Sequence, residues 1–225
     1  MNRYLAVKAI REVADRIELP YNEAILEKMA LLWGREDAPN ESECFRLHKK
    51  AMHKPVVFID MDGTLALFQK EKTIEEVCEV GYFETLPPME KMVGFVRLLL
   101  ENAPFLGIEV KFLSSVIPET TAEVEKHLWL SKYLGSYGNW KEIFVPYGES
   151  KFDYAKATED DFLIDDNTDM LLKWGGIGIK CLNNINNTRH RWNGYTISAN
   201  SESEKIFVEV VGIIKYYKFK KGVCL

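Results

Sequence analysis

Four uninterrupted apolar residues, Val56-Val57-Phe58-Ile59, lead directly into the acidic sequence Asp60-Met61-Asp62-Gly63-Thr64. A strand with water on one face alternates apolar and polar residues, whereas a strand without alternation is covered on both faces. Double-sided burial is characteristic of a parallel sheet, because parallel strands are joined by long crossovers and the crossover helices pack on the sheet. This one segment therefore commits the chain to an α/β architecture. Other apolar runs agree with it. Residues 108–113 end in Ser114-Ser115, 142–145 end near Pro146, 162–164 end in Asp165-Asp166, and 177–182 end in Asn183-Asn184. Helical patterns separate them. One carries Met92, Val96, Leu99 and Leu100, and another runs from about Pro118 to Gly135. A third starts at a capping box, Ser201-x-x-Glu204, and continues through Ile206, Val210, Ile213 and Tyr217. Strands alternating with helices predict a doubly wound, Rossmann-like parallel sheet.

The first 53 residues read differently. Apolar spacing predicts helices over 3–18, 22–34 and 41–52, the second bounded by Asn22 as a cap and Gly34 as a stop. The expected division is a helical extension over 1–53 and an α/β core over 54–225. A hydrophobic content of 47% is enough for a sizeable core. The formal charge of −5, with both signs mixed along the chain, leaves no basic footprint for a nucleic acid duplex. No apolar run reaches the ~18–20 residues that cross a bilayer. The first residues read as an amphipathic helix rather than a leader, so the expected location is cytoplasmic, with no membrane partner. Cys44, Cys78, Cys181 and Cys224 form no close pair and read as reduced structural thiols. His48, His53, His127 and His190 lack the spacing of a histidine metal site. Trp140, Trp174 and Trp192 read as core residues.

Ligands of open α/β sheets bind beyond the carboxyl ends of the strands. Asp60, Asp62, Ser114, Ser115, Asp165 and Asp166 all follow strand patterns, so the fold predicts that they converge although they are far apart in sequence. Two carboxylates at i and i+2 past a strand can share one cleft, with Gly63 allowing the sharp turn. One of them can attack phosphorus while the other handles protons. The segment 183–188, rich in asparagine, either lines that cleft or is a turn-rich loop.

On these residues the chain resembles the haloacid dehalogenase superfamily. Asp60-x-Asp62-Gly63-Thr64 matches its first motif, Ser114-Ser115 its second, Lys151 after Gly148-Glu149-Ser150 its third, and Asp165-Asp166 its fourth. Lys156 competes with Lys151 for the third position. The resemblance implies a core of that superfamily's type with a small helical cap at about 66–105. It implies a phosphatase with Asp60 as nucleophile and Asp62 as acid and base, with Ser114, Ser115 and Lys151 on the phosphate. Mg²⁺ would be held by Asp60, the carbonyl of Asp62 and Asp166, with Asp165 in support and Asp169 further out. Within the superfamily, Asp60 to Phe68, the Gly81-Tyr82-Phe83-Glu84 segment, Glu125-Lys126-x-x-Trp129-Leu130 and Leu163-Ile164-Asp165-Asp166 resemble the 5′(3′)-deoxyribonucleotidases. That likeness spans roughly 55–195 and implies a nucleoside monophosphate substrate, with Phe68, and more weakly Phe83, beside the base. The short cap and the N-terminal helices depart from the animal enzymes. A non-nucleotide phosphate ester as substrate, or a non-catalytic phosphate-binding interaction module, are the alternatives.

Overall fold

Asn2, Asn22 and Asn40 each open a helix. Their side-chain oxygens accept the backbone N–H of Tyr4, Ile25 and Glu43, filling donors that a helix start leaves without a partner. The helices are α1 (Arg3–Arg16), α2 (Glu23–Trp33) and α3 (Glu41–Met52). Glu43 returns a bond to the Asn40 N–H, closing a capping box, and α2 stops at Gly34, whose φ of +67° suits glycine. Their core holds Ala6, Ile10, Val13, Leu26, Met29 and Leu47. The computed structural model describes residues 2–68, 72–138, 140–185 and 191–220. It divides into two compact units, 1–54 with 214–225, and 55–213. The final helix is thus shared between the units, where the sequence reading kept 54–225 together.

In the second unit the described residues form six parallel strands: β1 (Val56–Ile59), β2 (Glu109–Val116), β3 (Lys141–Pro146), β4 (Phe162–Asp165), β5 (Ile177–Leu182) and β6 (Tyr195–Ser198). Their order is β3-β2-β1-β4-β5-β6, a Rossmann-like α/β fold. Every residue of β1, β4 and β5 is buried, the double-sided burial that their apolar runs predicted. The strand β6 was not predicted. It lies at the sheet edge with one fully buried residue, Ile197, so its sequence carries no apolar run. The chain builds outward from β1 in one direction and from β4 in the other. The order reverses between these two strands, and in such sheets the crevice lies at their carboxyl ends.

Crossovers are supplied by α6 (Glu90–Leu106), α7 (Ala122–Leu134), α8 (Lys151–Tyr154) and α9 (Thr168–Lys173), and α10 (Ser203–Lys220) follows the last strand. Two expected helix starts move. The α7 helix begins at Ala122, not near Pro118, and α10 begins at Ser203 because its first turn closes from the Ile206 N–H to the Glu202 carbonyl. The expected cap at 66–105 overlaps α6, the crossover packed on β2, and among the described residues α4 (Ile74–Val77) and α5 (Tyr82–Thr85) are the inserted helices before it. Trp174 is buried, while Trp140 and Trp192 are partly so. Residues 186–188, His190 and Cys224 lie outside the described residues.

Candidate active site

Register places the first two acids together. Ile59 lies opposite Ile164, and the Asp60 N–H continues the ladder to the Ile164 carbonyl at 2.9 Å, so Asp60 and Asp165 leave adjacent strand ends. Beyond Asp60 the chain folds tightly: the Met61 carbonyl accepts from Thr64, Leu65 and Ala66. Gly63 sits at the turn with φ of +80°, and a Cβ there would collide with Asp166 Oδ2. Glycine is therefore required both for the backbone and for the space.

Lys151, the first residue of α8, is buried and joins these acids. Its Nζ lies 2.6 Å from Asp60 Oδ1 and 2.8 Å from Asp165 Oδ2. Lys156 is exposed, on a turn with φ of +51°. Burial alone would lower Lys151, but Asp165 and Asp60 together raise it, so it stays cationic. Burial, reinforced by the charge of Asp60, pushes Asp165 up to about 6 despite the pull of Lys151. Asp166 is held through Oδ2 by Asn183 Nδ2 at 2.7 Å, and the same amide donates to the Gly63 carbonyl at 2.6 Å. Asp169 is exposed, and its N–H bonds to Asn167 Oδ1.

Asp60, Asp165 and Asp166 each offer an oxygen within 4.8 Å of the others, all three buried. Crowded buried carboxylates need compensating charge. Lys151 provides some, and so does Lys180, buried in β5, bonded to the Thr168 hydroxyl and lowered by its burial. An all-oxygen donor set of this charge suits a hard divalent cation such as Mg²⁺. The cluster includes Asp165, which the resemblance placed in support rather than among the ligands, and the ligand expected from Asp62 is its backbone carbonyl, not its carboxylate.

Asp62 faces Lys126, which lies 2.5 Å from its Oδ2. Burial pushes the Asp62 carboxyl up, Lys126 opposes the shift, and the charge of Asp60 adds to it. The two serines are not past the end of β2 but within it, and alternation separates them. Ser114 is buried with its hydroxyl on Lys126 at 2.8 Å, whereas Ser115 lines the cleft. The cleft has a volume of about 390 Å³. Its floor is polar, with Asp60, Asp62, Ser115, Lys151, Asp165 and Asp166. Its walls are largely apolar and include Phe68 and Phe83 with Ile74, Val77 and Ile117. Phe68 meets Tyr82 edge-on at 6.3 Å, and Tyr82 meets Phe83 edge-on at 5.0 Å.

Sequence reasoning assigned no role to Lys126 or Lys180, and left Asn183 open. A signal existed for the two lysines. Lys126 falls on the apolar stripe with Ala122, Trp129 and Leu130, and Lys180 interrupts a strand expected to be buried on both faces. A charge on a buried face needs a partner, and here the partners are site residues or their neighbours.

No protein-family model matches this chain, and no curated protein does. One solved structure, of an uncharacterized protein from Corynebacterium glutamicum, aligns over 72% of this chain and 96% of its own, at 15% identity and a TM-score of 0.37.

Proposed function

We propose that this chain is a Mg²⁺-dependent phosphomonoester hydrolase of the haloacid dehalogenase type, acting through an aspartyl-phosphate on Asp60. One observation carries the reading: Lys151 bridges Asp60 and Asp165 at the point where the strand order reverses, with Asp62 two residues on and Asp166 beside them. An oxygen of Asp60 attacks phosphorus as the bond from phosphorus to the leaving oxygen breaks. Asp62 gives its proton to that oxygen and becomes a carboxylate. In the second half Asp62 takes a proton from water, the water oxygen attacks phosphorus, and the acyl-phosphate bond breaks. Inorganic phosphate leaves, with Asp60 ionised and Asp62 protonated again. Lys151, Ser115 and Ser114 stabilise charge on the phosphoryl oxygens, directly or through the strand they share. Asp60, Asp166 and the Asp62 carbonyl would hold Mg²⁺, which when bound offsets the repulsion between carboxylate and phosphate.

The substrate is proposed to be a nucleoside monophosphate, deoxy and pyrimidine-like. A cleft of about 390 Å³ with a polar floor and aromatic walls fits a phosphate at one end and a flat ring at the other. The test is a panel of phosphomonoesters with Mg²⁺ that includes nucleoside and deoxynucleoside monophosphates and sugar phosphates. Nucleotides should be turned over best. Acid-quenched mass spectrometry should find the phosphoryl adduct on Asp60, and Asp60→Asn should remove both adduct and turnover. An adduct on any other residue rejects the nucleophile. Phe68→Ala should raise KM for nucleotides by about 5–150-fold, corresponding to the ~1–3 kcal/mol of a stacked base, and should spare p-nitrophenyl phosphate. Equal losses on both substrates make Phe68 a packing residue only.

A further inference from the structure

Lys126 is a fully buried lysine in the middle of α7, and a buried ammonium is tolerated only when its protons are satisfied. It carries three, and three acceptors surround it: Asp62 Oδ2 at 2.5 Å, Ser114 Oγ at 2.8 Å and the Ser115 carbonyl at 2.7 Å. Its donor capacity is therefore spent inside the protein, and Lys126 does not line the cleft. Behind it the ring of Phe83 presents its face at 4.4 Å, which fixes the ammonium from the remaining side. The consequence for Asp62 is asymmetric. Its Oδ2 is held, while its Oδ1 is buried without a hydrogen-bond partner in the protein. A carboxylate held by one oxygen and unbonded at the other is oriented for a single task. The same ammonium ties Asp62 to β2, so the acid and the cleft-lining Ser115 are set at a fixed separation.

We infer that Lys126 is a positioning residue for proton transfer: it fixes Asp62 through Oδ2 so that Oδ1 delivers and receives the proton, and it does not bind the phosphate. The inference rests on the reading of Asp62 as the acid and base of a phosphatase. It makes a prediction that phosphate-binding lysines do not share. Loss of Lys126 should hurt in proportion to how much the leaving oxygen needs a proton.

The full chain with Mg²⁺ is assayed as wild type, Lys126→Met, Lys126→Arg, Asp62→Asn and the Lys126→Met/Asp62→Asn pair. The substrates are an alkyl phosphate, whose leaving oxygen is basic, and p-nitrophenyl phosphate, whose leaving oxygen is not. Lys126→Met should lower kcat on the alkyl ester about 100-fold and on p-nitrophenyl phosphate no more than about tenfold. KM should stay within about threefold on both esters, because no bond to the substrate is removed. Adding Lys126→Met to Asp62→Asn should cost less than about threefold more, since a residue acting through Asp62 has nothing left to act on. Lys126→Arg should recover part of the loss on the alkyl ester. Equal losses on the two esters, a KM rise on both, or multiplying losses in the double variant would overturn the inference while leaving the phosphatase reading in place. A wild type inactive on both esters overturns the phosphatase reading and with it the proton role. Thermal unfolding of the same variants then decides whether Lys126 holds Asp62 at all: non-additive losses show that it does, and additive losses show that it does not. The ratio of the two esters is read within each variant, so a variant of reduced stability still reports.

Discussion

Asp165 and Asp166 are neighbours in sequence with different occupations. Both oxygens of Asp165 are engaged, Oδ2 by Lys151 and Oδ1 by the Asn167 N–H at 2.7 Å. Asp166 accepts the Asn183 amide through Oδ2 and, with Asp60 and Asp165, offers an oxygen to one small cluster. On the proposed reading Asp166 is the direct metal ligand, while Asp165 holds the lysine that contacts Asp60. Asp166→Asn should raise the half-saturating Mg²⁺ concentration by at least about tenfold, whereas Asp165→Asn should chiefly lower kcat. Titration of activity with Mg²⁺ for both variants checks this, and the reverse order would exchange the two roles. The same residues show what was legible at this scale. Asp60, Asp62, Lys151, Asp165 and Asp166 stand at or just past strand ends or at the start of a helix, where a polar residue after an apolar run is conspicuous. Lys126 and Lys180 were harder to read, because lysine in a helix or strand is ordinarily a solvated residue and only its neighbours mark it as buried.

The α7 helix, through two consecutive residues, serves both the insert and the acid. Lys126 holds Asp62, and Glu125 beside it holds α5. The Glu125 carboxylate is buried and accepts the N–H of Gly81 at 2.8 Å and of Phe83 at 2.9 Å, together with the Thr121 hydroxyl. These are donors that the one-turn helix α5 leaves unmatched at its start, and Gly81 has no side chain to cap them. Burial alone would raise Glu125, but these donors outweigh it and hold its carboxyl below 4.5, the ordinary value. The sign is then fixed. A carboxyl depressed in the folded state contributes stability that is present above its unfolded pKa and is lost as pH falls through the folded pKa. Glu125→Ala should cost about 1–3 kcal/mol at pH 7, the cost of stranding buried donors that had a charged partner. Below pH 4.5 the difference between the variant and the wild type should shrink. Chemical denaturation at pH 7 and at pH 3.5–4 measures both, and a difference independent of pH rejects the charge-based account. Short elements of this kind were the least legible part of the fold. Helices α4, α5, α8 and α9 span four to six residues, too few for a 3.6-residue period to repeat. The longer α1, α2, α3 and α6 repeat it several times, and β1, β4 and β5 announce themselves by double-sided burial.

Among the described residues, buried carboxylates gather at one place in one of the two units. Asp60, Asp62, Asp165 and Asp166 meet the ammonium groups of Lys126, Lys151 and Lys180, four acids and three bases at and beneath the floor of the cleft. Burial pushes Asp62 and Asp165 up, and the charge of Asp60 adds to it. A divalent cation that enters only the folded site must stabilise the folded state, by about 2.7 kcal/mol at a concentration one hundred times its Kd. For a unit of this size that corresponds to a rise in Tm of roughly 5–11 °C. The tryptophans allow the rise to be read in the right unit. Trp33 belongs to the helical unit, and Trp129, Trp140, Trp174 and Trp192 belong to the α/β unit. In a Trp33→Phe background, fluorescence melting therefore reports the α/β unit alone. Mg²⁺ should raise its Tm, chelator should reverse the change, and Ca²⁺ should do less, because it prefers more ligands in a looser shell. Asp166→Asn should abolish the Mg²⁺ effect and should also melt above the metal-free parent, since one buried charge has been removed from a site that gathers several. A parent that melts at the same temperature with and without Mg²⁺ would mean that the three lysines already balance the acids, and that the site needs no metal to fold around its charge.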